Sequence, residues 1–258
     1  MLNESLKNIM TQGYLYVESH QAAGKAMRVM RDMHISCVFV LKDDKPVGAI
    51  TERKIMEKAL KGVNLFNASA EDIMSTPLLQ LKVDDTIKDA CELMNKEEIR
   101  HIGIVDTLGT LKGTVTPSNI VNIMGMESFS SNALVKDVMY PHIVFAEESS
   151  SLLDAATAIL EKKTCCAVVM KDGEAVGVVS EKDAANSLSF GHNISKITLD
   201  KIMSSPVIGV QDKDSIAQAI ITLRRHRIHR VIAYNSVGKV SGILALEGLV
   251  RNIDKVLH

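Results

Sequence analysis

Two short signatures recur four times along the chain, and their spacing constrains the fold more than any other feature. An Ile/Val-Met pair ends at Met10, Met74, Met139 and Met203, and a glycine leading into small or apolar residues stands at Gly48, Gly113, Gly177 and Gly242. Successive anchors lie 64 or 65 residues apart, but the better period is 129, which separates Met10 from Met139, Met74 from Met203, Gly48 from Gly177 and Gly113 from Gly242. From Met to Gly the count alternates 38, 39, 38, 39. Odd repeats therefore resemble odd and even resemble even. The predicted organisation is four repeats (1–64, 65–130, 131–194 and 195–258) forming two modules, 1–130 and 131–258.

Each repeat has the same grammar. A short extended stretch such as Pro141–Phe145 or Pro206–Val210 leads through a polar turn into an amphipathic helix. Apolar residues fall at helical spacing: Ala23, Ala26, Met27 and Met30 in repeat 1, Ile87, Ala90, Cys91 and Met94 in repeat 2. Asp85 and Asp214 are predicted helix N-caps. An apolar strand follows (Cys37–Leu41, Ile102–Val105, Cys166–Met170, Val231–Tyr234), then a turn, the glycine strand and a second helix. This β-α-β-β-α order predicts an α/β fold. One sheet face of so small a repeat is left uncovered, so neighbours are expected to pair. The weakly patterned stretch 125–132 is the expected linker between modules.

At 46% hydrophobic and 24% charged, a chain of 258 residues can bury a sizeable core. Thirty basic against 31 acidic residues disfavour a nucleic-acid binder with an overall basic field. No apolar run approaches a membrane span, no secretory signal stands at the start, and the four cysteines form no CxxC pair. These features point to a soluble, reduced, cytoplasmic protein. There is no GxxxxGK[ST], HExxH or GxSxG motif, so no catalytic site is expected, and no metal site either.

The pattern Asp137-Val-Met-Tyr-Pro, a helix, Thr164-Cys-Cys-Ala-Val-Val, then Val176-Gly-Val-Val-Ser180-Glu-Lys-Asp183 resembles the cystathionine-β-synthase (CBS) domain. Asp72-Ile-Met-Ser-Thr-Pro77 and Lys201-Ile-Met-Ser-Ser-Pro206 resemble the same opening, and the likeness covers all four repeats. The arrangement resembles that of the gamma subunit of AMP-activated kinase and of stand-alone archaeal members. The resemblance implies pseudo-twofold modules of two repeats packed sheet to sheet, two of which can form a disk. It also implies adenosine-containing ligands (AMP, ADP, ATP or an adenosyl compound such as S-adenosylmethionine) bound in clefts between paired repeats as regulators, not as catalytic cofactors.

The family's ribose signature is a Gly, two apolar residues, Ser/Thr, two variable residues and Asp. A carboxylate can accept hydrogen bonds from both ribose hydroxyls, and the preceding hydroxyl opens a helix near the phosphate. Repeat 3 has the signature whole, in Gly177, Ser180 and Asp183. Repeat 2 offers Thr116 and Asn119, repeat 1 has Thr51 but Lys54, and repeat 4 has Ala245 and Gly248. The alternative reading of Ser180 and Asp183 is an ordinary helix cap with a first-turn acid.

Twelve residues before each glycine the chain reads Ser36, His101, Cys165 and Arg230, small in odd repeats and basic in even ones. A small residue leaves room for a flat base, and a cation in the partner repeat can reach phosphate. The resemblance implies a His-Arg pair here, present as His229-Arg230 and reversed as Arg100-His101. Arg230 is the expected phosphate ligand, since its guanidinium can grip phosphate in a fork. The charge of His101 depends on its local pKa. Lys182 would add charge for a polyphosphate, and Thr164, Cys165, His142 and Ile143 would wall the base. Repeat 2 (Thr116, Asn119, His101, Arg100) is the second candidate site.

The expected protein is a metabolite sensor that signals to a partner protein, and a homodimer is left open. The alternative is a ligand-free module docking a partner. A third reading, nucleic-acid binding through the run Arg224–Arg230, is disfavoured because no aromatic residue stands within it for base stacking.

Overall fold

The structure, a computed structural model, describes residues 1–125, 129 and 133–257. Of the expected linker, residues 126–128 and 130–132 lie outside the described residues.

The α/β repeat is realised four times. Repeat 1 runs through strand Tyr16–Glu18, helix Ala23–Asp32, strands Cys37–Lys42 and Lys45–Thr51, and helix Glu52–Leu60. Repeat 3 matches it with Val144–Glu147, Leu152–Glu161, Cys166–Lys171, Glu174–Ser180 and Glu181–Ser189. In repeats 2 and 4 the central hairpins are Ile102–Val105 with Leu111–Val115 and Arg230–Tyr234 with Val240–Ala245. Each central strand is parallel to the first strand of its repeat and antiparallel to the glycine strand. The apolar positions read as helical, among them Ala23, Ala26, Met27 and Met30, are buried.

The helix caps fall one residue later than the sequence suggested. Thr86 and Ser215 are the N-caps, accepting from the backbone N–H groups of Asp89 and Gln218. Asp85 and Asp214 close the preceding turns instead, accepting from Lys82 N at 2.7 Å and Gln211 N at 2.8 Å. An acid one residue before the N-cap closes the turn behind it, while the hydroxyl of the cap itself serves the helix.

The 38/39 alternation has a structural cause in the hairpin turn. The glycine pairs with a residue eight positions earlier in odd repeats (Val40 with Gly48, Val169 with Gly177) and nine earlier in even ones (Ile104 with Gly113, Ala233 with Gly242). Odd hairpins turn on two left-handed residues, Asp43-Asp44 and Asp172-Gly173, as tight two-residue turns require. Even hairpins use longer loops, from Val105 to Leu111 and from Tyr234 to Val240.

The described chain divides into two compact units. One comprises residues 1–13, 80–143 and 207–258, the other residues 14–79 and 144–206. By direct contact, then, the bodies of repeats 2 and 4 share one unit and those of repeats 1 and 3 the other. The joins are helix on helix. Glu52–Leu60 and Ala23–Asp32 both pack on Glu181–Ser189, and Leu246–Arg251 packs on Pro117–Ile123 and Ile87–Glu97. The core of the 2/4 unit includes Ile104, Ile120, Ile220, Leu244 and Leu249; that of the 1/3 unit includes Val38, Ile50, Ile73, Leu152 and Val169.

Repeats adjacent in sequence are linked differently, by exchange of their openings. Ser75, from the opening of repeat 2, bridges Ala49 of repeat 1, and Ser204, from the opening of repeat 4, bridges Val178 of repeat 3. Conversely Thr11–Gln12 adds an edge strand to Leu111–Val115, and Tyr140 bridges Ile243. This explains why Met and Gly recur together. A Cβ at Gly48 would lie 2.6 Å from Met74 Sδ, and one at Gly177 would lie 2.7 Å from Met203 Cγ. At Gly48, Gly177 and Gly242 the methionine of one opening occupies the space that the missing side chain leaves, and at Gly113 the backbone of Thr11 does so.

Candidate functional site

The ribose signature lies where the glycine strand turns into the second helix. In repeat 3, Ser180 is the N-cap of helix Glu181–Ser189 and is nearly buried. Its backbone N–H and its hydroxyl both donate to Asp183 Oδ2, at 2.8 and 2.7 Å. The bland expectation of a cap is thus realised, and it engages one carboxylate oxygen. Asp183 Oδ1 has no hydrogen-bond partner among the described residues, and the side chain is half-buried.

The equivalent positions in the other repeats are already engaged. Asn119 Oδ1 accepts from Thr116 N at 2.9 Å and Oγ1 at 2.7 Å, while its Nδ2 donates to Thr11 Oγ1 at 3.0 Å. Lys54 Nζ pairs with Glu57 Oε2 at 3.1 Å. Gly248 faces Tyr140, whose ring would stand 3.1 Å from any Cβ there and is itself covered by Arg251.

The strand register corrects one expectation. Arg230 pairs with Ala245, and Cys166 pairs with Ser180, as Cys37 does with Thr51. His101, one step beyond the paired Ile102 and Val115, is opposite Thr116. The matched set is therefore Cys37, His101, Cys166 and Arg230. Counting back twelve from the glycine runs through a turn that is one residue longer in even repeats, which misplaces Ser36 and Cys165 by one. Neighbours on a strand face opposite ways, so the shift exchanges faces. The alternation of small and basic residues survives it.

Among the other site candidates, Thr164 and Cys165 are buried, Ile143 is half-buried, and Lys182, His142 and His229 are exposed. The carbonyl of Thr164 accepts from Arg53 Nη2 at 2.8 Å. The same guanidinium pairs with the buried Glu181 at 2.6 Å. Arg53 of repeat 1 thereby fastens both edges of the repeat 3 site region, the entry to the central strand and the first residue of the helix. Within the basic run, Arg224 Nη2 donates to the carbonyls of Val121 and Met124 at 3.0 and 3.2 Å, a packing role.

In the 2/4 unit an arginine of repeat 2 pairs with a carboxylate of repeat 4. Arg100 Nη1 lies 3.4 Å from Glu247 Oε1, and both side chains are largely buried. Burial pushes the Glu247 carboxyl up, but Arg100 and then Arg230 outweigh it and hold the group below the usual carboxylate range. Burial, followed by Arg100 and His229, pushes His101 down to about 3. His101 is therefore neutral at pH 7 and adds no positive charge beside Arg100.

This has a pH consequence. Between about pH 3 and 6.5 the unfolded chain binds a proton at His101 that the folded protein does not, so stability rises with pH across that window and is lost on acidification. One proton bounds the slope at about 1.4 kcal/mol per pH unit. Urea unfolding at pH 6.5, 5.5 and 4.5 should show the decline, and His101→Gln should flatten it. An unchanged slope in that variant would remove His101 as the cause.

Sequence reading missed Arg53, Glu181 and Glu247. A signal was present: the position five after each glycine reads Arg53, Ser118, Lys182 and Glu247, and in repeats 1 and 4 its charge reaches into another repeat. Among the described residues no cluster of His, Cys, Asp and Glu could hold a metal ion, and no helix is long and apolar enough to cross a membrane.

Comparison with known proteins matches the CBS domain at residues 6–61, 70–125, 135–189 and 199–255. Over 96 residues the chain is 36% identical to an uncharacterized protein of Methanopyrus kandleri, a match covering 36% of this chain and 49% of that one. The chain thus spans about half the length of that relative. Among solved structures, a protein of Methanocaldococcus jannaschii, a proposed archaeal homolog of g-AMPK, superposes with a TM-score of 0.86 at 17% identity, covering 97% of this chain and 100% of that one. An uncharacterized conserved protein of Pyrococcus horikoshii gives 0.66 at 19% identity, over 96% and 99%. These two likenesses establish the fold.

Proposed function

The chain belongs to the CBS domain family, and from that premise we propose that it is a regulatory, non-catalytic protein that binds an adenine nucleotide or adenosyl compound, with Asp183 holding the ribose. The observation that carries this reading is the state of the four equivalent positions. Three have their side chain engaged or their space filled by a neighbour, whereas Asp183 keeps one oxygen without a hydrogen-bond partner among the described residues. An unengaged carboxylate oxygen on a half-buried side chain in the first turn of a helix suits two ribose hydroxyls. Arg230 is the proposed phosphate ligand, with His229 beside it. A partner protein would read the bound state, through the ligand's different affinity for two conformations.

Thermal-shift measurements with AMP, ADP, ATP, S-adenosylmethionine and methylthioadenosine test the reading. A cognate ligand at 100 times its Kd should add about 2.7 kcal/mol. Arg230→Ala should weaken AMP far more than the neutral thioether. No shift from any of the five would leave the second reading, a ligand-free docking module, which the occupied positions in repeats 1, 2 and 4 favour for part of the molecule.

A further inference from the structure

The carboxylate at the centre of the 2/4 unit has no counterpart in the ribose signature. Glu247 stands five residues after Gly242, in the first turn of helix Leu246–Arg251, where it faces Arg100 of repeat 2. The chain brings Arg230 to the same place. Arg230 pairs with Ala245 across the hairpin, and Leu246 N donates to the carbonyl of His229 at 3.0 Å, so His229-Arg230 and Glu247 flank one strand-to-helix junction. Arg100 of repeat 2 thus pairs with a carboxylate that is only 17% exposed, and the charge of Arg230, across the same junction, also acts on it.

We propose that Glu247 is an internal counter-anion that occupies the cationic cluster of Arg100 and Arg230 and sets its selectivity, so that only a ligand carrying phosphate can displace it. The charge count supports this. Glu247 brings one negative charge and two acceptor oxygens to the two guanidiniums. A neutral adenosyl group offers those cations nothing that Glu247 does not already supply. A di- or triphosphate brings more charge and more acceptors than the carboxylate, and guanidiniums grip phosphate oxygens in pairs. Where it names a nucleotide phosphate as the displacing group, the inference rests on the adenosyl reading above; as a statement about the cluster it stands on the ion pair alone.

The test uses inorganic pyrophosphate beside ATP and methylthioadenosine, measured by calorimetry on the full chain. Glu247→Gln keeps the shape and removes the charge. It should bind pyrophosphate at least about tenfold tighter than the unmodified protein, with a steeper salt dependence, and leave methylthioadenosine unchanged. Adding Arg100→Gln should cancel the gain. If Glu247→Gln does not fold, Glu247→Asp, which keeps the charge but draws it back from Arg100, should give a smaller gain of the same sign. Equal or weaker pyrophosphate binding in the folded variants, or none in any form, overturns the proposal. Tighter pyrophosphate binding with no response to any adenosyl compound would uphold the counter-anion and sink the adenosyl reading. The reverse pattern would do the opposite.

Discussion

Replacing Arg53 by methionine is expected to destabilise the protein by about 3 kcal/mol, measured by urea unfolding. Glu181 is 2% exposed and faces the Arg53 guanidinium at 2.6 Å. Breaking a buried ion pair from one side costs roughly 3–5 kcal/mol, because the charge left behind has lost both water and its counter-ion. The low end applies here, since Arg53 itself is 35% exposed and its share of the desolvation is small. Methionine preserves most of the volume, so packing loss contributes little. The guanidinium also donates to the Thr164 carbonyl, and that bond goes with it. Adding Glu181→Gln should recover at least half of the loss, because an amide is far cheaper to bury than a carboxylate. A loss below about 1 kcal/mol for Arg53→Met would show that Glu181 is neutralised by other means.

Asp183→Asn is the second large effect, read in binding with little change in stability. The chain supplies its own precedent for the fold. Asn119 in repeat 2 caps Thr116 through Oδ1 just as Asp183 caps Ser180 through Oδ2, so the substitution keeps the cap. What changes is the far end, where a carboxylate oxygen becomes an NH2 donor. If Asp183 accepts from ribose hydroxyls, the variant loses hydrogen bonds to a charged acceptor, each worth roughly 1.5–3 kcal/mol. Affinity for every adenosyl ligand should fall by about 100-fold, and by a similar factor for AMP and for methylthioadenosine, because the ribose is common to both. Undiminished binding in a variant that melts with the unmodified protein would exclude Asp183 from the ligand.

Local pattern was legible in the sequence. The hairpin strands and both helices of each repeat follow from periodicity and from single anchors, because a strand or helix announces itself within a dozen residues, whereas the ribose signature rests on the family resemblance. The meaning of the Met and Gly anchors was not legible. Each looked like a marker inside its own repeat, whereas Met74 packs on Gly48 and Met203 on Gly177, across the repeat boundary. The cap positions also slipped by one, at Asp85 and Asp214, since an acid can close a turn or open a helix with the same composition around it.

The amino-acid sequence alone determined the number of repeats, their parity, their element order and the singular position of Asp183, all of which depend on contacts near in the chain or on simple recurrence. Only the tertiary structure decided that openings are exchanged between neighbouring repeats, that the hairpin loops put Cys37 and Cys166, not Ser36 and Cys165, in register with His101 and Arg230, and that Arg53 meets Glu181 and Arg100 meets Glu247. Those pairings join residues 128 and 147 positions apart. They are selected by how helices pack and by where a buried charge finds its counter-ion, and neither leaves a period in the chain.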